Sequence, residues 1–178
     1  KWKKIWKNRL KNTPPYVPIW LSHQEKDRYW LQGTISKNYN LIKCPVFTTG
    51  GWADCWPNTV GRLVKNLNTN VKGISGPWGH NYSCFAKPGP QIDFLNECIK
   101  WWDKWLKNKN NGVEKDPKIT AFIRKSMKPN SLGVDRPGYW IKENSWPPKS
   151  NVNKNFYFNQ NQLISKKSRS KNNFVTFS

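Results

Sequence analysis

Two short apolar runs, each entering a glycine turn, bracket a helical stripe, and this arrangement restricts the fold more than any other part of the sequence. LIKCPVFTTGG (41–51) reads as one strand and the start of NVKGISGPWGH (70–80) as a second. Between them, 59–67 carries Val60, Leu63, Val64 and Leu67 at helical spacing. Strand, helix and strand within about 35 residues is the βαβ unit of a parallel sheet, since parallel neighbours need a crossover connection. A stronger helix follows at 92–106, where Phe94, Leu95, Cys98, Ile99, Trp102, Trp105 and Leu106 form one broad apolar face, with its tryptophans expected in the core. The fold class is therefore α/β.

The flanks have a different texture. Trp2, Ile5, Trp6 and Leu10 fall at helical spacing before the Pro14-Pro15 breaker, and a second short helix is expected around 25–31. After the polar stretch KNKNNGVEKDP, the segments KITAFI, GYWI and NFYFN alternate or run β-branched and aromatic between Pro and Gly clusters. They read as the opening strands of a separate β domain, with a boundary near 110–117. NNFVTFS at the end reads as a further strand. Both ends look cut, and the sole methionine, Met127, is internal.

Charge first suggests an anionic partner. The 178 residues hold 31 Lys plus Arg against 10 Asp plus Glu, a formal net charge of +21. Only six of those cations are Arg, and the 25 Lys are scattered beside 22 Asn. Nucleic-acid readers concentrate charge on one face and rely on Arg forks, so no specific nucleic-acid partner is expected. An aromatic content of 15% with 12 Trp excludes a chain too polar to bury a core. No apolar run is long enough to span a membrane, and KWKKIWKNRL lacks the apolar stretch of a signal peptide; location is not written in this segment, with the cytoplasm slightly favoured. Cys44, Cys55, Cys84 and Cys98 have no CxxC spacing, and with His23 and His80 the only histidines the zinc patterns fail. No metal or cofactor is expected. The thiols read as free and mostly buried, with a Cys44 to Cys55 disulfide left open.

Chemistry concentrates in the two turns. GGWADCW places Asp54 just past the carboxyl end of the first strand, and GPWGH places His80 at the same end of the second. In open α/β sheets those strand ends converge on one crevice. A carboxylate there can bond one ring nitrogen, fix the tautomer and stabilise the imidazolium, while the other nitrogen acts as general base. Trp52, Trp56 and Trp78 flank the loops, and Trp56 is a candidate substrate contact. His23 and Asp27 read as a structural pair on one helical face, and the Asn81-Tyr82-Ser83 sequon reads as chance.

SHQEKDRYW, CPVFTTGGWADCW, ISGPWGH, IDFLNECIKWWDKWLK and RPGYW with the later SWPP, in this order, resemble the cocaine-esterase and X-prolyl dipeptidyl-peptidase (CocE/NonD) hydrolase family. The resemblance implies an α/β-hydrolase with a helical cap and a jelly-roll β domain. On that mapping, 1–40 is the end of the cap, 41–112 the C-terminal portion of the hydrolase core and 117–178 the start of the jelly roll. It implies Asp54 as triad acid and His80 as triad base, in the chain order of this fold. It also implies a small-molecule ester or peptide substrate. The departure is the nucleophile: no GxSxG-type elbow occurs, and Ser75 lies inside a predicted strand. The expected function is part of a serine hydrolase whose Ser lies upstream, inactive alone. The alternative is a noncatalytic Trp-rich basic binding module for nucleic acid or carbohydrate.

Overall fold

The computed structural model describes residues 1–129, 135–159 and 162–166. The strand expected in NNFVTFS lies outside the described residues. The chain forms two units, Lys1–Cys44 with Leu67–Thr69, and Pro45–Asn66 with Asn70–Ser178.

The first unit holds α1 (Trp2–Asn12), α2 (Tyr16–Ser22), α3 (Arg28–Leu31) and a 3-10 turn (Tyr39–Leu41). Helix α2 departs from the sequence reading, in which the double proline only ends a helix. Pro15 instead stands at the N-cap of α2, and Pro18 occupies its first turn, where the amide lacks an intrahelical partner anyway. His23 caps the C-terminus of α2 and Asp27 the N-terminus of α3, so their ion pair joins two helices rather than lying on one helical face. The His23 ring holds the Asp27 carboxyl below its usual range against the opposing effect of burial, and the Tyr29 amide adds to the lowering.

The second unit is built on a four-stranded sheet of order β1-β2-β3-β4, with β1 (Val46–Gly51), β2 (Val71–Gly76), β3 (Ile119–Arg124) and β4 (Gly138–Glu143). The first three strands are parallel and β4 is antiparallel to β3. Every residue of β2 is buried, as a central parallel strand requires. The crossover helix α4 (Thr59–Asn66) lays Val60 and Val64 over Gly73, where a Cβ would stand 2.8 and 2.7 Å from their methyl groups. Glycine at 73 is thus what lets this helix approach the sheet. On the other face, Ile74, Trp78 and Ala86 form a core against which Phe47, Ile92 and Trp140 pack.

Helix α5 (Phe94–Trp105) starts at Asp93, whose carboxylate accepts from the Asn96 amide at 3.2 Å. It buries Cys98 and Trp101, the latter 5.9 Å from the Phe47 ring. The broad apolar face expected there is divided: Leu95, Ile99, Trp102 and Leu106 are exposed, and the indole of this helix that is buried is Trp101. Apolar residues surround too much of this helix for one sheet face to cover them all.

Strands β3 and β4 continue the sheet of β1 and β2, so the polar stretch at 110–117 is not where that sheet ends. The stretch contains a 3-10 turn (Val113–Lys115) with Val113 buried, a connection rather than a linker. The strands β5 (Tyr157–Asn159) and β6 (Gln162–Ile164) pair separately as an antiparallel hairpin. All four cysteines are free; contrary to the expectation of mostly buried thiols, Cys44 and Cys55 are exposed and only Cys98 is buried. The loops that carry Cys44 and Cys55 lie at the surface, which is where connecting segments run. Among the described residues no helix is long and apolar enough to cross a membrane.

One charge is buried in β2. Lys72 Nζ donates to Glu97 at 2.7 Å and to Asp116, tying the strand to α5 and to the approach to β3. Burial alone would lower the Lys72 pKa, but the two carboxylates outweigh it and raise the pKa above its usual value. A raised folded-state pKa means a stabilisation that is complete below the ordinary lysine value of 10.5 and is lost as pH rises through the folded value. Lys72→Met is expected to cost about 1–3 kcal/mol at neutral pH, less than a fully buried pair because Glu97 and Asp116 reach solvent. It should also flatten the alkaline loss of stability. Urea titrations of both proteins at neutral and strongly alkaline pH check this, and an unchanged alkaline slope would exclude the role.

Candidate active site

Strand β1 ends at Gly51, and the chain turns at once toward the end of β2. The Trp52 amide donates to the Gly76 carbonyl at 2.9 Å and the Ala53 amide to the Trp78 carbonyl at 3.0 Å. The Trp52 indole donates to the Phe122 carbonyl of β3 at 2.7 Å, so this turn is held by two neighbouring strands. A Cβ on Gly51 would collide with the Trp78 carbonyl, which is why the closest approach of the two loops falls at a glycine. The second loop is braced from the far side by Gly79, whose amide donates to the Lys87 carbonyl at 2.9 Å. Beneath it the Trp78 indole is 1% exposed and donates to the Pro90 carbonyl at 2.8 Å.

These constraints bring together the two residues singled out from the sequence. His80 Nδ1 lies 3.1 Å from Asp54 Oδ2 across 26 residues of chain. The Asp54 side chain is 14% exposed and the His80 side chain 71%, so the carboxylate is sheltered while the imidazole stands open. Burial pushes the Asp54 pKa up, but the Trp56 amide, the His80 ring and the Cys55 thiol more than offset it and hold the carboxyl below its usual range. Asp54 is therefore ionised at neutral pH, as a group that orients a histidine must be.

Trp56 stands edge-on to the His80 ring, with centroids 5.2 Å apart, and is itself largely exposed at the rim. A cavity of about 380 Å³ is lined by Asp54 and His80 together with Thr49, Trp78, Asn81 and Tyr82. Ser75 is elsewhere: it is buried in β2 and faces a different cavity, beside Gly61, Arg62 and Lys65 of α4.

Cys55 was not among the residues expected here. Its Sγ donates to Asp54 Oδ1 at 3.3 Å; burial raises the thiol pKa, and the neighbouring carboxylate raises it further. Asp54, Cys55 and His80 offer one donor atom each, all within 4.8 Å of one another. The only sequence signal for Cys55 is its adjacency to Asp54, because the histidine that completes the group arrives through strand pairing.

Residues 1–82 match the profile of the X-Pro dipeptidyl-peptidase (S15 family). Among solved structures, the chain resembles a CocE/NonD family hydrolase from Staphylococcus aureus, with a TM-score of 0.68 at 17% identity over 95% of this chain. A second crystal structure of a CocE/NonD family hydrolase from that organism gives a TM-score of 0.62 at 16% identity over 88%. The chain spans 29% and 26% of those two structures. No curated protein matches it. At such identity the structural likeness speaks for the fold, a mixed α/β architecture with a mainly parallel sheet.

Proposed function

We propose that this chain, which sequence and fold both support as a member of the CocE/NonD X-Pro dipeptidyl-peptidase family, carries the acid and base of a Ser-His-Asp triad acting on ester or amide bonds. The observation that carries this reading is the 3.1 Å contact between Asp54 Oδ2 and His80 Nδ1 at adjacent strand ends. In this role the Asp54 carboxylate accepts a hydrogen bond from Nδ1–H, which leaves the Nε2 lone pair free to take the proton of a nucleophilic serine. As the imidazolium forms, the ionised carboxylate stabilises it. Trp56 shields one edge of the ring and contributes apolar surface for an acyl or proline-side group.

The serine and the oxyanion donors are assigned to a region outside these 178 residues, since no GxSxG occurs in them and Ser75 is inaccessible. The helices of 1–40 are assigned to a cap, as in the family; of the strands after 117, β3 and β4 belong to the sheet of β1 and β2, and only the hairpin of β5 and β6 is assigned to the start of a jelly roll. The chain alone is expected not to hydrolyse an activated ester or an X-Pro anilide. Turnover by the purified chain that His80→Ala abolishes would overturn the placement of the nucleophile. Turnover restored by adding the upstream region, and dependent on Asp54 and His80, is the result expected.

A further inference from the structure

We propose that Asp54, Cys55 and His80 form a three-donor site for a thiophilic divalent cation of the zinc type. Thiolate, imidazole and carboxylate are the donor set that such an ion prefers. In a tetrahedral site, metal bonds of about 2.0–2.3 Å place ligand atoms roughly 3.3–3.8 Å apart. Here the thiol sulfur is 3.3 Å from one Asp54 oxygen and the imidazole nitrogen 3.1 Å from the other, with all three donors inside 4.8 Å. Each of the two contacts to the carboxylate is at or near that spacing, and drawing the thiol and the imidazole onto one ion completes the site.

The protons present make the exchange explicit. Two hydrogen bonds, from the Cys55 thiol and from His80 Nδ1, point at one carboxylate that is already ionised. When the dication enters, the thiol proton leaves to solvent, and the neutral imidazole moves its proton from Nδ1 to Nε2 and offers the Nδ1 lone pair. The group passes from a net charge of −1 to neutral. Cys55 has no disulfide partner and His80 and Cys55 are exposed, so the ion can enter and a fourth position faces solvent.

This inference shares residues with the proposed triad and rests on that reading for its consequence only. A cation on Nδ1 replaces the hydrogen bond to Asp54 and leaves Nε2 protonated, so the metal-bound form has no general base. Zinc would then act as a reversible off-switch, and the resting enzyme would be the metal-free one.

Cobalt(II) is the probe, because thiolate coordination to it gives a near-ultraviolet charge-transfer band that a carboxylate or imidazole alone does not. Titration of the 178-residue chain is expected to develop that band to one equivalent, and zinc should bleach it. Cys55→Ser should abolish the band, His80→Ala should weaken binding on the order of tenfold or more, and Cys44→Ser, which removes an exposed thiol elsewhere, should change neither. Failure to form the band, or a band that survives Cys55→Ser, overturns the site. Hydrolysis by the upstream-extended chain separates the two readings. Loss of activity in His80→Ala without any cobalt band would leave the triad standing and remove the metal site. A cobalt band in a protein whose hydrolysis ignores Asp54 and His80 would do the reverse.

Discussion

Asp54→Asn, in a chain that includes the upstream serine, is expected to lower kcat/KM for an activated ester on the order of 10⁴-fold. The amide keeps the shape of the side chain and can still accept from one donor, but it cannot hold His80 in the reactive tautomer or stabilise the imidazolium. Two features of the site enlarge the effect. The carboxylate is sheltered at 14% exposure, so solvent does not substitute for it, and it is held ionised by the Trp56 amide as well as by His80. His80→Ala should cost at least as much, and the double variant little more, because triad members act as a unit rather than as independent increments. Stopped-flow or steady-state rates on a chromogenic ester decide the matter. A loss below about tenfold for Asp54→Asn would remove Asp54 from the triad.

Trp78→Ala is expected to destabilise the second unit by about 3–5 kcal/mol, read as a shift in urea midpoint with the slope preserved. Among the described residues the indole is the largest fully buried side chain; it packs on Ile74 and Ala86 and lies 6.0 Å from the Trp140 ring. Its backbone carbonyl also receives the Ala53 amide, so the cavity opens directly beneath the turn that presents Asp54. Trp78→Phe keeps most of the ring volume but loses the hydrogen bond to the Pro90 carbonyl, and should cost about 1–3 kcal/mol. In a catalytically complete chain, Trp78→Phe is expected to lower kcat, since it loosens the loops that present Asp54 and His80. A cost under about 1 kcal/mol for Trp78→Ala would show that this core does not support the site.

Asp54 and His80 were legible before any coordinates because each lies within a local signature: an apolar strand, a glycine turn and a single chemically distinctive residue. The parallel unit was legible because two short apolar runs, each entering a glycine turn, bracket a stripe of apolar residues at helical spacing within about 35 residues. Helix α2 was not, because Pro reads as a breaker unless its position in the first turn is known. Nor was the membership of β3 in the same sheet: a polar run looks like a linker until Val113 is seen buried inside it and Ile119 is seen paired with Gly73. On α5, Trp101 and Trp102 are adjacent and chemically identical, and only the position of Phe47 across the interface distinguishes the buried one from the exposed one.

Sequence alone determined what depends on short-range order: the α/β class, the strand, helix and strand that place two loops at one sheet edge, and the presence of a scarce acid and a scarce imidazole on those loops. It also reduced the +21 charge to a scattered Lys surface without a reader's Arg forks. Tertiary structure decided what depends on distances between residues far apart in the chain. It set the 3.1 Å approach of Asp54 to His80, the withdrawal of Ser75 from that cavity, and the arrival of the Cys55 thiol on the second carboxylate oxygen. The physical reason is that a periodicity of apolar residues specifies which face of an element is buried, whereas the register between strands, here Gly51 opposite Gly76, specifies which side chains meet at their ends.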